Sequence, residues 1–308
     1  MIVIVNAFDD PAALNDLNIF SRFFGLPECG DANPCLQVVY AAGTAPPLDA
    51  LWAANAADIT QYAHAFAPGA QIVLVEAASA SVDDTNASIL FANQYVIDHS
   101  PTGTAQMIIP FWNFESQNEI ADDAKFTTAG IVYISGNQLG IDIEYPAASP
   151  NVIGVGVTGI MCDPNGVFRG EFASNFDTGG KSAYEARPSY QDGISAKVGD
   201  NRGVPDVSFI ADPIAGAVVY YDSVGLDGFV GWQYSGNVGI AEAIWAAMIN
   251  TAGKGRPSSA AELTALYGHL GDARVFRDIT VGQAFGNRAG PGWDVLSGLG
   301  SGITFFAK

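Results

Sequence analysis

Short apolar runs separated by longer mixed stretches set the rhythm of this chain. Ile2 to Ala7, Leu36 to Tyr40, Gln71 to Glu76, Met107 to Phe111, Ile131 to Ser135 and Val152 to Val157 are dominated by apolar residues, with little in–out alternation. Runs of that length suit strands covered on both faces, as in a parallel sheet between helical layers. Between and after them, helical spacing marks Pro11 to Phe24, Ala50 to Ala65, Asp83 to His99, Gly236 to Thr251 and Ser258 to Leu270. The first helix is expected to start after Asp9-Asp10, with Pro11 in its first turn, where a missing N–H costs little. This alternation predicts an α/β protein: a doubly wound, mostly parallel central sheet with helices on both faces. Residues 159 to 235 break the rhythm; Gly, Pro and Asp are frequent there, and the segment reads as loops with short strands. No repeat, low-complexity tract or linker divides the chain, so one domain over residues 1–308 is expected.

Composition narrows the function classes. With 49% hydrophobic and 15% charged residues, the chain can bury a large core and does not read as disordered. No apolar run approaches the roughly 20 residues that a membrane-spanning helix needs. Met1 to Val5 is too short, and lacks the basic flank, for a signal peptide. The 32 acidic against 13 basic residues give a net charge of -19, which excludes a nucleic-acid partner because phosphate binding needs clustered Lys and Arg. Solubility in acid or salt, calcium binding, or capture of a basic partner each fits that balance.

Cys29 and Cys35 flank the turn-rich stretch Gly30-Asp31-Ala32-Asn33-Pro34. A disulfide closing so small a loop contributes about 2 kcal/mol in the chain-entropy model and implies an oxidising, extracellular compartment. Two buried thiols are the alternative. Cys162, without a nearby His or Asp of obvious catalytic geometry, reads as an inert thiol.

Several segments carry a resemblance: Ile4-Val5-Asn6-Ala7-Phe8-Asp9-Asp10-Pro11, Tyr62-Ala63-His64-Ala65-Phe66-Ala67-Pro68-Gly69-Ala70 and Glu144-Tyr145-Pro146-Ala147-Ala148-Ser149-Pro150-Asn151-Val152. Arg187-Pro188-Ser189-Tyr190-Gln191, Arg202-Gly203-Val204-Pro205-Asp206-Val207, Phe276-Arg277-Asp278-Ile279-Thr280 and Gly290-Pro291-Gly292-Trp293-Asp294 continue it. In kind and order these resemble the sedolisins, the serine-carboxyl peptidases with a subtilisin-like fold. The resemblance implies that fold, and four working side chains: a Ser nucleophile, a Glu base, an Asp four residues beyond the Glu on the same helix face, and a second Asp at the oxyanion.

The matching positions here hold Gly239, Asn55, Ile59 and Asn137. An amide at Asn55 cannot take up a proton at working pH, and Ile59 offers no polar atom to orient a base. Asn137 retains a hydrogen-bond donor for an oxyanion. Gly239 removes the nucleophile, a loss on the order of a million-fold in turnover for serine peptidases. Asp58 lies about 100° around the helix from Ile59 and is expected to face elsewhere. Ser182 and Ser235 read as ordinary serines, and His64, His99 and His269 as dispersed, with packing accounting for His64.

The resemblance also implies a structural Ca2+ site near residues 278–294. Its ligands would be the carboxylates of Asp278 and Asp294 with the carbonyls of Ile279, Gly290 and Gly292, an oxygen-only set that suits a hard cation. The reading is therefore a catalytically inactive, calcium-stabilised extracellular protein without a pro-domain, structural or self-assembling, with itself or a protein or peptide as partner. Two alternatives stand beside it. One is an acid serine-carboxyl peptidase with relocated groups; the other is a module that holds a peptide without cutting it, along an exposed edge at Asp177-Thr178-Gly179-Gly180.

Overall fold

Ile2 and Ile4 turn to one face of a sheet and Val3 and Val5 to the other, and each face is sealed by its own apolar layer. The computed structural model describes residues 1–111, 113–136, 143–176, 179–253 and 255–303. Its sheet-forming strands are β1 (Ile2–Ala7), β2 (Leu36–Tyr40), β3 (Ile72–Ala77), β4 (Ala105–Ile108), β5 (Ile131–Gly136) and β6 (Val152–Cys162). Further along come β7 (Phe168–Ala173), β8 (Val207–Ile210), the hairpin β9 (Val218–Leu226) and β10 (Phe229–Ser235), then β11 (Phe276–Arg277) and β12 (Ser301–Gly302). The helices are α1 (Ala13–Phe24), α2 (Ala50–Phe66), α3 (Val82–His99), α4 (Val238–Thr251) and α5 (Ser259–Tyr267).

The main sheet runs β11-β12-β8-β6-β5-β4-β1-β3-β2, with β7 pairing β6 off this path. Every pairing from β2 to β12 is parallel; β11 and β7 add antiparallel edges. The expected doubly wound sheet is present. One face packs on α2, α4 and α5, and the opposite face on α3. Strand β1 lies between β3 and β4, so the chain builds outward from it in both directions.

Local signals place the helices that carry the site. Asp49 caps α2 by accepting from the amides of Leu51 and Trp52, and Ser81 caps α3 by accepting from Asp84. Helix α1 begins two residues later than its sequence suggests, because Asp10 Oδ1 takes the Ala12 amide at 3.0 Å and holds Pro11 in a preceding turn. Residues 159 to 235 hold loops and short strands, as their composition suggests, and several of those strands enter larger pairings. Val207–Ile210 enters the main sheet between β6 and β12, and β9–β10 form a long hairpin beside α1 and α2. The pairings of β8 join segments distant in sequence, so its short apolar run gave no rhythm to read.

Candidate active site

Where β10 ends, Ser235-Gly236-Asn237 turns into α4, and the first turn of α4 meets the buried flank of α2. Gly239 sits in that turn against Ile59. A Cβ built on Gly239 would lie 2.6 Å from Ile59 Cδ1, 2.9 Å from Ile59 Cγ1 and 2.9 Å from Asn237 Oδ1. Ile59 is wholly buried in the core, so hydrocarbon occupies the space that a side chain at 239 would need. The structure thus brings two of the sequence-predicted positions together, Ile59 and Gly239. Asn55, one turn earlier on α2, instead donates through Nδ2 to Asn6 Oδ1 at 3.1 Å, at the end of β1. Asn137 lies outside the described residues.

Asp58 does not face away from this neighbourhood. Its Oδ2 accepts from Ser235 Oγ at 2.5 Å and from Asn237 Nδ2 at 2.7 Å, while Oδ1 has no partner. The turn between β10 and α4 folds over α2, and so reaches the face that Asp58 presents. Burial pushes the Asp58 carboxyl up to about 7, against the lowering effect of those two hydrogen bonds. Sequence reasoning weighed this group and turned it the wrong way, although Asp58 is the one acidic residue within α2 and lies on a buried face. An isolated carboxylate on an apolar helix was the available signal.

Helix α4 carries a second such group. Glu242 Oε1 accepts the Gly136 amide at 2.7 Å at the end of β5, and Oε2 has no partner. Burial, with the charge of Glu144 adding to it, holds the Glu242 carboxyl far above the usual carboxylate range. A cavity of about 210 Å³ also opens in the described structure, lined among others by Thr85, Ile109, Phe111, Glu119 and Tyr145.

The expected exposed edge at Gly179-Gly180 is paired on one side, within a two-stranded sheet. Gly180 pairs with Val204, the Gly179 amide donates to Val295 O at 2.7 Å, and a Cβ on Gly179 would lie 1.9 Å from Val204 O. Asp177 and Thr178 lie outside the described residues. Ser182 is also engaged internally, donating to Glu115 Oε2 at 2.6 Å.

At the C-terminal loops, Asp278 Oδ2 accepts the Gly292 amide at 3.0 Å and Asp294 Oδ2 the Gly290 amide at 2.9 Å. Asp294 Oδ1 is taken by the amides of Leu296 and Ser297 and by the Ser297 hydroxyl. A carboxylate offers about four lone-pair sites, so Asp278 and the Oδ2 of Asp294 keep acceptor capacity. By donor type the loop fits a hard cation through these atoms and neighbouring carbonyls. Lys197 already brings a positive charge to the same loop, its Nζ donating to the carbonyls of Pro291 and Trp293. Cys29 and Cys35 are joined as a disulfide, whereas Cys162 is a free, exposed thiol.

No protein-family model matches the chain. It is 31% identical over 181 residues to sedolisin of Pseudomonas sp. (strain 101), covering 52% of this chain and 28% of that protein. It is 26% identical over 278 residues to kumamolisin of Bacillus sp. (strain MN-32), covering 79% of this chain and 48% of that one. Pseudomonas sedolisin, a serine-carboxyl proteinase solved with two molecules of pseudo-iodotyrostatin, superposes with a TM-score of 0.78 at 22% identity, over 98% of this chain and 89% of that one. This is a sedolisin-like chain. It spans less than half the length of either curated relative. Fervidolysin from Fervidobacterium pennivorans, a keratinolytic enzyme related to subtilisin, shares the fold at a TM-score of 0.56 over 42% of its own chain. Within the sedolisin-like frame, the segments that carried the resemblance in sequence occupy ordered positions in sheet and core: Arg202, Asp206 and Gln191 are wholly buried and linked to one another.

Proposed function

We propose that this sedolisin-like chain is a pseudopeptidase: an extracellular, calcium-stabilised protein with a structural or self-assembling role. The packing of Ile59 against Gly239 carries this reading, because the nucleophile position has lost its side chain and the space for one is filled with hydrocarbon. Asn55 supports it, since it spends its amide on Asn6 and cannot act as a base. Secretion is supported by the Cys29–Cys35 disulfide, and no helix among the described residues is long and apolar enough to cross a membrane. The deciding experiment is incubation with denatured protein from pH 3 to pH 7, read by mass spectrometry. Intact substrate is the expected result; specific cleavage overturns the reading. Light scattering of the same sample then asks whether the chain forms large particles, as a building block should.

The Ca2+ in this proposal would be held by Asp278 and Asp294 with the carbonyls of Ile279, Gly290 and Gly292. Chelation is expected to lower Tm, and Asp294→Ala to remove the response to added Ca2+. A melting curve indifferent to chelator, with calorimetry showing no Ca2+ uptake, refutes the calcium component alone.

One observation favours a second reading, an acid peptidase with relocated groups. The hydrogen bond from Ser235 to Asp58 is the arrangement of a hydroxyl nucleophile and its carboxylate base. If the cleavage assay is positive, this reading requires that Ser235→Ala and Asp58→Asn each abolish it.

A further inference from the structure

His64 lies near the end of α2, beneath the loop that Cys29 and Cys35 close, and is completely buried. Its Nε2 is 2.8 Å from Pro27 O. A carbonyl can only accept, so Nε2 carries the proton and Nδ1 carries the ring's lone pair. That Nδ1 is buried and has no hydrogen-bond partner among the described residues. An unpartnered buried acceptor destabilises the fold, and a hydrocarbon ring would fill the same space without that cost. The surroundings show what the lone pair can serve. A ligand atom of His64 and the sulfurs of Cys29 and Cys35 all lie within 4.8 Å of one another, and the two cysteines are each only 5% exposed.

We propose that, in its dithiol form, this chain binds a thiophilic cation such as Zn2+ through Cys29, Cys35 and His64. The disulfide and the metal are alternative occupants of one position. While the S–S bond is intact, both sulfurs are covalently satisfied and neither is a thiolate. Reduction adds two electrons and two protons from a dithiol reductant, which itself becomes a disulfide, and frees two thiols. The cation then displaces both thiol protons to solvent and takes two thiolates and one neutral imidazole, with a fourth position for water. The size of the group suits this exchange. With the three ligand atoms already within 4.8 Å of one another, parting of the two sulfurs on reduction lets them reach the roughly 2.3 Å Zn–S and 2.0–2.1 Å Zn–N distances of such sites. The Cα atoms of the two cysteines, 5.1 Å apart, already place both side chains on one ion. The Pro27 carbonyl fixes the ring's tautomer and orientation in the way that supporting hydrogen bonds do at metal histidines.

The test uses the full chain carrying Cys162→Ser, so that the exposed thiol contributes nothing. Oxidised and anaerobically reduced samples are titrated with Co2+, and tetrahedral d–d and thiolate charge-transfer absorption is recorded, followed by displacement with Zn2+. One equivalent bound only by the reduced form is expected, with affinity falling at least tenfold in His64→Gln. Equal absorption in the oxidised form, no thiolate band after reduction, or unchanged affinity in His64→Gln overturns the proposal. Circular dichroism accompanies each titration. Should reduction loosen the fold, Zn2+ is expected to restore it in the chain with His64 and not in His64→Gln; failure to restore it is equally fatal.

Discussion

Gly239 is a position where a missing side chain has been made permanent by its neighbour. Glycine in a helix costs roughly 0.5–1 kcal/mol relative to alanine, yet here any Cβ meets Ile59 Cδ1 at 2.6 Å. Simple restoration of the hydroxyl is therefore expected to harm the protein. Gly239→Ser should lower stability by about 1–3 kcal/mol in urea unfolding, the usual range for overpacking a core, and should confer no peptidase activity because Asn55 and Ile59 provide no base. Combining it with Ile59→Ala should destabilise less than the sum of the two single changes, since each relieves what the other creates. Strict additivity would show that the two side chains do not compete for space.

The strongest polar assembly in the core joins elements that are distant in sequence. Arg202 and Asp206 are both wholly buried and meet at 2.7 Å and 2.6 Å. Asp206 also accepts from the Gly154 amide on β6 at 2.7 Å and from the Tyr267 hydroxyl at the end of α5 at 2.9 Å. Gln191 completes the set by accepting the Gly203 amide and donating to the Tyr267 oxygen. Here the resemblance motifs have a structural role: they tie β6, β8 and α5 around one carboxylate. Removing that carboxylate leaves a buried guanidinium uncompensated. Asp206→Ala should cost about 3–5 kcal/mol, measurable as a lower urea midpoint or as loss of the folded protein, whereas truncating the exposed Arg274–Asp272 pair should change little.

Across the whole molecule, acidic groups are buried in numbers that set a pH preference. Burial raises Asp10, Asp58 and Glu119 to about 7, and it also raises Glu76 and Glu242. In the unfolded chain such carboxyls titrate near 3.8 and 4.5. Between about pH 4 and pH 7 the folded state holds protons that the unfolded chain has lost, so stability falls as pH rises. The contribution is complete below the unfolded values and gone above the folded ones. Tm is accordingly expected to drop by roughly 5 °C or more from pH 4 to pH 8, and a Tm flat or rising over that window contradicts the burial of these groups as ionisable acids. The net charge of -19 acts in the same direction, since self-repulsion grows as the last carboxyls ionise.

The runs at Ile2–Ala7 and Leu36–Tyr40 became strands with the boundaries read from sequence, and the five helices came within three residues of theirs. Periodicity is a local record of which faces are covered, and a parallel sheet buried on both sides writes it plainly. The replaced positions Asn55, Ile59 and Gly239 were legible for another reason: the presence or absence of a reactive atom is a property of the residue type. Contact is a different matter. That Ile59 fills the space at Gly239, that Asp58 reaches Ser235, that the Gly179-Gly180 edge is already paired and that His64 underlies the disulfide all depend on chain segments up to 180 residues apart in sequence. Spacing along the chain carries no information about such meetings. Residue chemistry and local pattern thus settled the fold class and the absence of a reactive atom at Gly239, while tertiary packing decided which groups touch, because burial and hydrogen bonding are set by partners brought in from elsewhere in the chain.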